Sequence, residues 1–221
     1  SLEFWTNWIE AQMYYFLLVG PFRPTEEEID GLARPLHEGR QGIMEAVHRI
    51  CLSASFDRRN PGADTFVTVV MEQLLGLNVA KYQRELQIGR ELYKGNKGRF
   101  LESLGASQSD VVRIAIMDGR ALPFLLSREW ERWLRTTPAQ GEVESQAKSG
   151  LPSKAFVARV MSWVGSSAYR ERMKTRKPLS SRLFVRGLFV DLLDRLPSPE
   201  ETQTMCTALD GLADPRPMRS L

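Results

Sequence analysis

Apolar residues recur along this chain at intervals of three and four, the period of a helix with one buried face. Glu10–Val19 is strongly apolar and runs into Pro21 and Pro24, which cannot continue a helix. Thr25 and Glu28 then form a T-x-x-E capping box, so a helix is expected to begin there with Ile29, Leu32 and Leu36 on one face. A further helix is expected from about Gly42 to Ala54, with Ile43, Val47 and Ile50 aligned. Asn60-Pro61-Gly62 marks a turn. The Val67-Thr68-Val69-Val70 run after it would suit a strand, but Phe66, Val70, Leu74 and Val67, Met71, Leu75 form two i, i+4 series, so 66–75 reads as a buried helix. Helices are expected near 79–94, 108–119, 121–135, 153–165, 180–194 and 199–212. The last begins with an N-cap serine (Ser198), a proline at the first helical position (Pro199) and a capping acid (Glu201). No segment alternates convincingly enough to be a strand, and the fold class is all-α.

The chain also repeats itself. Phe66, Val67, Leu74 and Leu75 align with Phe184, Val185, Leu192 and Leu193, while Val47, Ser53, Phe56 and Arg59 align with Val160, Ser166, Tyr169 and Arg172. Pro24-Thr25-Glu26-Glu27-Glu28 aligns with Pro197-Ser198-Pro199-Glu200-Glu201, which places Leu32 and Leu36 on Met205 and Leu209. The unit is a helix, an S-x-x-[FY]-x-x-R turn, an apolar F-V helix, a proline-and-acid turn and a helix. The proline turn is missing after the first F-V helix, which has Leu77-Asn78-Val79. A copy between 110 and 150 is poorly marked, with Thr137-Pro138 as its candidate turn. Each helix pair has a face it cannot bury alone, so a degenerate helical repeat packed into a multi-helix bundle follows. Residues 1–135 read as an N-terminal repeat region and 136–152, rich in Thr, Ser, Gly, Pro and Gln, as a linker or weak helix. Residues 153–221 read as a C-terminal repeat, cut short because Met218-Arg219-Ser220-Leu221 has the look of a helix beginning.

Ser167-Ala168-Tyr169-Arg170-Glu171-Arg172, then Leu183-Phe184-Val185 through Leu192-Leu193-Asp194-Arg195, then Pro197-Ser198-Pro199-Glu200-Glu201, resembles the helical linker domain of phycobilisomes. It is also similar to related bacterial helical domains of unknown function, including those joined to cytochrome c modules. The resemblance covers about 155–212 and, more thinly, 43–95. It implies an all-α module that holds other proteins together and carries no catalytic residues. The family motif reads L-G-R where this chain has Leu193-Asp194-Arg195, and the earlier copy keeps Leu75-Gly76 without the arginine.

Composition narrows the function classes. The net charge of +3 over 221 residues rules out a polybasic binder as a whole, so electrostatic function rests on local clusters. The longest apolar stretch, Met13–Val19, is far short of the roughly 20 residues of a membrane span. The two cysteines, Cys51 and Cys206, form no CxxC motif and read as core residues. His48 and Cys51 share a helical face, but two ligands at i, i+3 make no metal motif. No P-loop, G-x-S-x-G or HExxH sequence occurs. Gly95-Asn96-Lys97-Gly98 follows a helix and reads as a C-cap and turn, and Glu26, Glu27 and Glu28 as acids favoured by a helix N-terminus. The Trp5/Trp8 and Trp130/Trp133 pairs and Trp163 read as packing anchors.

Two basic stretches remain. One comprises Arg170, Arg172, Lys174, Arg176, Lys177, Arg182 and Arg186, the other Lys81, Arg84, Arg90, Lys94, Lys97 and Arg99. The first spans the turn before an F-V helix, where a repeat protein presents a contact edge. The expectation is a non-enzymatic scaffold or linker module without cofactors, whose partner is another protein with an acidic surface. An accessory region of a larger enzyme or electron-transfer protein is the alternative, and nucleic-acid binding through the basic stretches a third and weaker one.

Overall fold

Several of the helices start where a hydroxyl side chain caps them. The computed structural model describes residues 1–17, 24–138, 141, 143, 151–174 and 180–212, without the side chains of Tyr14, Leu17, Arg172, Met173 and Lys174. At the head of α2 (Glu26–His37) the Glu28 N–H donates to Thr25 Oγ1 at 3.1 Å and the Thr25 N–H donates to the Glu28 carboxylate at 2.9 Å, so the capping box closes in both directions. Ser53 caps α4 (Ala54–Arg59), Ser107 caps α7 (Gln108–Met117) and Ser180 caps α11 (Ser181–Leu193). Ser198 and Glu201 form a second closed box on α12 (Pro199–Asp210).

The remaining elements are α1 (Leu2–Leu17), α3 (Ile43–Cys51), α5 (Gly62–Val69), α6 (Gln83–Tyr93), α8 (Ala121–Leu134), α9 (Ser153–Val164) and α10 (Ser167–Lys174). Helix α5 runs on through a π-helical turn, Val70–Leu74. Among the described residues, helix pairs α1–α2, α5–α6 and α11–α12 pack against each other most extensively. They are the hairpins of the repeat, and α8 supplies the long helix of a fourth copy. The backbone marks the copies. Gly76, Arg135 and Asp194 each end a long helix in the left-handed region, with φ of 66°, 57° and 53°. They lie at an even spacing of 59 residues. On that register Phe66 and Val67 correspond to Leu125 and Leu126 and to Phe184 and Val185, and all six are buried.

Paired residues of the repeat do the same work. Ser53 Oγ accepts the Phe56 N–H at 3.1 Å and Ser166 Oγ accepts the Tyr169 N–H at 3.2 Å. In both places the aromatic ring and the preceding valine, Val47 or Val160, are buried. Leu32 and Leu36 are buried in α2, whereas in α12 Leu209 is buried and Met205 is exposed.

Helix α1 is the hub. Its Trp5, Trp8, Ile9, Met13 and Phe16 are buried, and the helix touches α2, α3, α4 and α11. Phe156 of α9 lies 5.6 Å from Trp8 and 6.0 Å from Trp5, ring centre to ring centre. At the other end Phe16, Phe56, Phe66 and Tyr93 make a chain of ring contacts at 5.2–6.5 Å. One continuous cluster of buried side chains thus extends from Trp5 to Leu209, across the expected linker. That segment, 136–152, lies mostly outside the described residues, as does the expected helix start at 218–221.

Four expectations need correction. A short antiparallel hairpin exists, β1 (Gly98–Phe100) against β2 (Ser103–Gly105). Its two-residue turn, Leu101-Glu102, has φ of 45° and 66°, the geometry usually signalled by Asn-Gly, so the sequence carries no such mark. The S-x-x-[FY]-x-x-R segments are short helices, α4 and α10, because their serines cap rather than merely turn. The helix expected over 42–54 therefore stops at Cys51. The helix expected from 79 begins at Gln83, because the Asn78 side chain takes the Ala80 N–H and holds a turn there.

Candidate functional site

Helix α11 has two sides of different chemistry. Ser181, Phe184, Val185 and Phe189 face the core. One helical stripe away, Leu183, Arg186 and Val190 face solvent with Arg182 beside them, Leu183 being 50% and Val190 42% exposed. Five of the ten exposed large apolar residues of the described chain fall in this last stretch: Leu183, Val190, Leu196, Met205 and Leu212. On the 59-residue register the outer stripe of α11 corresponds to Thr65, Thr68 and Glu72 in α5 and to Phe124, Ser127 and Glu131 in α8. Thr65, Glu72 and Glu131 are exposed and polar, and Phe124 is half-buried, its ring 2.6 Å from where a β-carbon on Gly76 would stand. The α11 copy therefore puts an exposed valine where both sisters put glutamate, and an exposed leucine where they have Thr65 and the half-buried Phe124.

Of the seven basic residues singled out from the sequence, Arg170, Arg182 and Arg186 are exposed. The side chains of Arg172 and Lys174, and all of Arg176 and Lys177, lie outside the described residues. The second basic stretch is offset by acids. Arg90 pairs with Asp64 at 2.6 Å, Lys94 with Glu91 at 3.0 Å and Arg99 with Glu102 at 3.9 Å.

The hairpin that carries this face is tied to the first helix by Arg195. Its guanidinium holds Glu201 at 2.7 Å, also pairs with Glu3 of α1, and lies 4.8 Å above the Phe189 ring. The Arg195 guanidinium, aided by the Ser198 N–H, pulls the Glu201 carboxyl down to about 2. A shallow cleft between the two helices is lined by Ser181, Arg182, Thr202, Gln203, Cys206 and Asp210, with the Ser181 hydroxyl bonded to Asp210.

A buried polar network went unnoticed in the sequence. Gln12 of α1 donates its amide to Glu129 of α8 at 2.7 Å and accepts from Arg128 at 2.7 Å. The Arg128 guanidinium carbon lies 3.3 Å from the centre of the Tyr15 ring, and burial lowers its pKa. Arg132 stands 3.9 Å from Glu129 and 3.6 Å from Asp194, the C-cap of α11. Glu129 is 1% exposed, so no substrate reaches it, and its role is to pin α1, α8 and α11 in register. A signal was available: Glu129 continues the stripe of Leu122, Leu125 and Leu126, an acid in an apolar row.

His48 and Cys51 do share a face of α3. Cys51 is buried and its thiol is pushed up to about 12 by desolvation, which keeps it protonated and a poor ligand or nucleophile. Burial likewise lowers the pKa of His48. Among the described residues no group of three or more His, Cys, Asp or Glu side chains is placed to hold a metal ion, and no helix is long and apolar enough to cross a membrane. Trp5, Trp8, Trp133 and Trp163 are buried packing residues, and Trp130 is half-buried. No family model, curated protein or solved structure matches the chain.

Proposed function

We propose that the chain is a non-enzymatic helical scaffold that holds another protein against the outer face of α11, and that the partner meets it with an acidic surface. The observation that carries this reading is the exposed Leu183, Arg186 and Val190 row in one copy of a repeat whose other copies are polar or covered there. Apolar side chains next to arginine are what protein interfaces enrich, and clustered exposed apolar residues on a folded domain mark contact sites. Leu183 and Val190 supply the area lost to water, and Arg182 and Arg186 select for acids and hasten encounter. The reading agrees with the likeness of 155–212 to linker modules.

The test places a photo-crosslinking amino acid at Val190 in cells that make the protein, with Met117 and Met161, also exposed, as controls. A dominant protein adduct is expected from position 190 and not from the controls. The same adducts from all three positions, or none from 190, would reject the reading.

A further inference from the structure

A second recessed surface lies away from α11, between α8 and α9. Ala155, Ala158 and Ser162 occupy one stripe of α9, and their short side chains leave room beside the helix. Trp130 of α8 and Trp163 of α9 wall that room, their rings meeting edge to face at 5.6 Å. With Arg159 and Ser166 they enclose an open groove of about 520 Å³. That is the size of a small-ligand site, where apolar and aromatic walls surround a few polar groups.

The polar group at this site is Arg159. Its Nε is buried and makes no hydrogen bond among the described residues. A buried donor without an acceptor costs free energy that an incoming acceptor recovers. A guanidinium is matched best by a carboxylate, which takes two parallel N–H donors. The Trp130 Nε1–H already donates to Thr136 Oγ1 at 3.2 Å, so its ring rather than its donor is left for a ligand. The Ser166 hydroxyl accepts the Tyr169 N–H and keeps its own proton to give.

We infer that this groove binds a small molecule that joins an aromatic ring to a carboxylate, the ring against Trp130 and Trp163 and the carboxylate on Arg159. Neither half suffices: the ring supplies buried apolar contact and the carboxylate answers the orphaned donor. The site is independent of the α11 face, so partner binding and ligand binding can fail separately.

The experiment titrates the intact protein with phenylacetate and follows tryptophan fluorescence, with phenylacetamide and acetate as probes lacking the charge or the ring. A saturable change is expected with phenylacetate, with a dissociation constant on the order of 1 mM for so small a probe. It should weaken at least about tenfold for both control probes and in Arg159→Gln. It should vanish in Ala158→Trp, which fills the groove while circular dichroism confirms helicity. No saturable change with phenylacetate in the wild-type protein, or equal binding of phenylacetamide, would overturn the assignment, as would undiminished binding in Arg159→Gln.

Discussion

The left-handed residues that close the long helices show how one position is solved three ways. At Gly76 the conformation carries no penalty, and a β-carbon there would strike the Phe124 ring at 2.6 Å. Arg135 and Asp194 adopt the same φ with a side chain attached, at a cost of roughly 1 kcal/mol each. Arg135→Gly is therefore expected to raise unfolding free energy by about 0.5–1 kcal/mol, whereas Gly76→Ala lowers it by more than about 1 kcal/mol. Denaturant unfolding measures both. The pair also shows what a sequence can disclose. Leu75-Gly76 advertises its C-cap, and Leu193-Asp194 is recognisable beside it, but Leu134-Arg135 gives no hint because arginine has no preference for this region. For that reason the middle copy of the repeat could not be placed from residues alone.

At the scale of the element, helix starts were legible and helix interruptions were not. Thr25/Glu28 and Ser198/Glu201 are capping boxes whose sequence states the geometry. Ser53 and Ser166 cap just as firmly, yet the helices they start, α4 and α10, are too short to show a period, and their sequence reads as a turn. The cap of α12 is also an electrostatic joint, because Glu201 serves Ser198 and Arg195 at once. Its folded pKa of about 2 lies below the ordinary value of 4.5. A depressed carboxyl stabilises the fold above its unfolded pKa, and that contribution is lost as pH falls from 4.5 toward 2. The midpoint of thermal unfolding should drop through this window, and Glu201→Gln should drop less steeply there while starting lower at neutral pH. Asp110 is also held near 2, by the Ala106 N–H, Arg113 and Ser107, so the difference between wild type and variant isolates Glu201.

For the whole molecule, the repeat and the all-α class could be read, but the way the ends meet could not. Phe156 packing on Trp5 and Trp8, and Arg195 reaching Glu3, join residues more than a hundred positions apart that no local pattern links. The Gln12–Glu129–Arg132 network is the polar counterpart of that closure. Glu129→Ala leaves the Gln12 amide without its buried acceptor and Arg132 without the carboxylate it pairs with, and is expected to cost about 3–5 kcal/mol in denaturant unfolding. A cost below about 1 kcal/mol would show the network to be dispensable. The basic edge expected over 170–186 was legible as charge. Its apolar companions, Leu183 and Val190, became meaningful only once the register showed what their counterparts are.

The most direct measurement is affinity for the protein recovered in the crosslink at position 190, compared between wild type and Arg182→Glu/Arg186→Glu at matched helicity. The scaffold account predicts that the charge reversal weakens binding by at least about tenfold, and that added salt weakens the wild type alone. Equal affinity of the two proteins for that partner would contradict it.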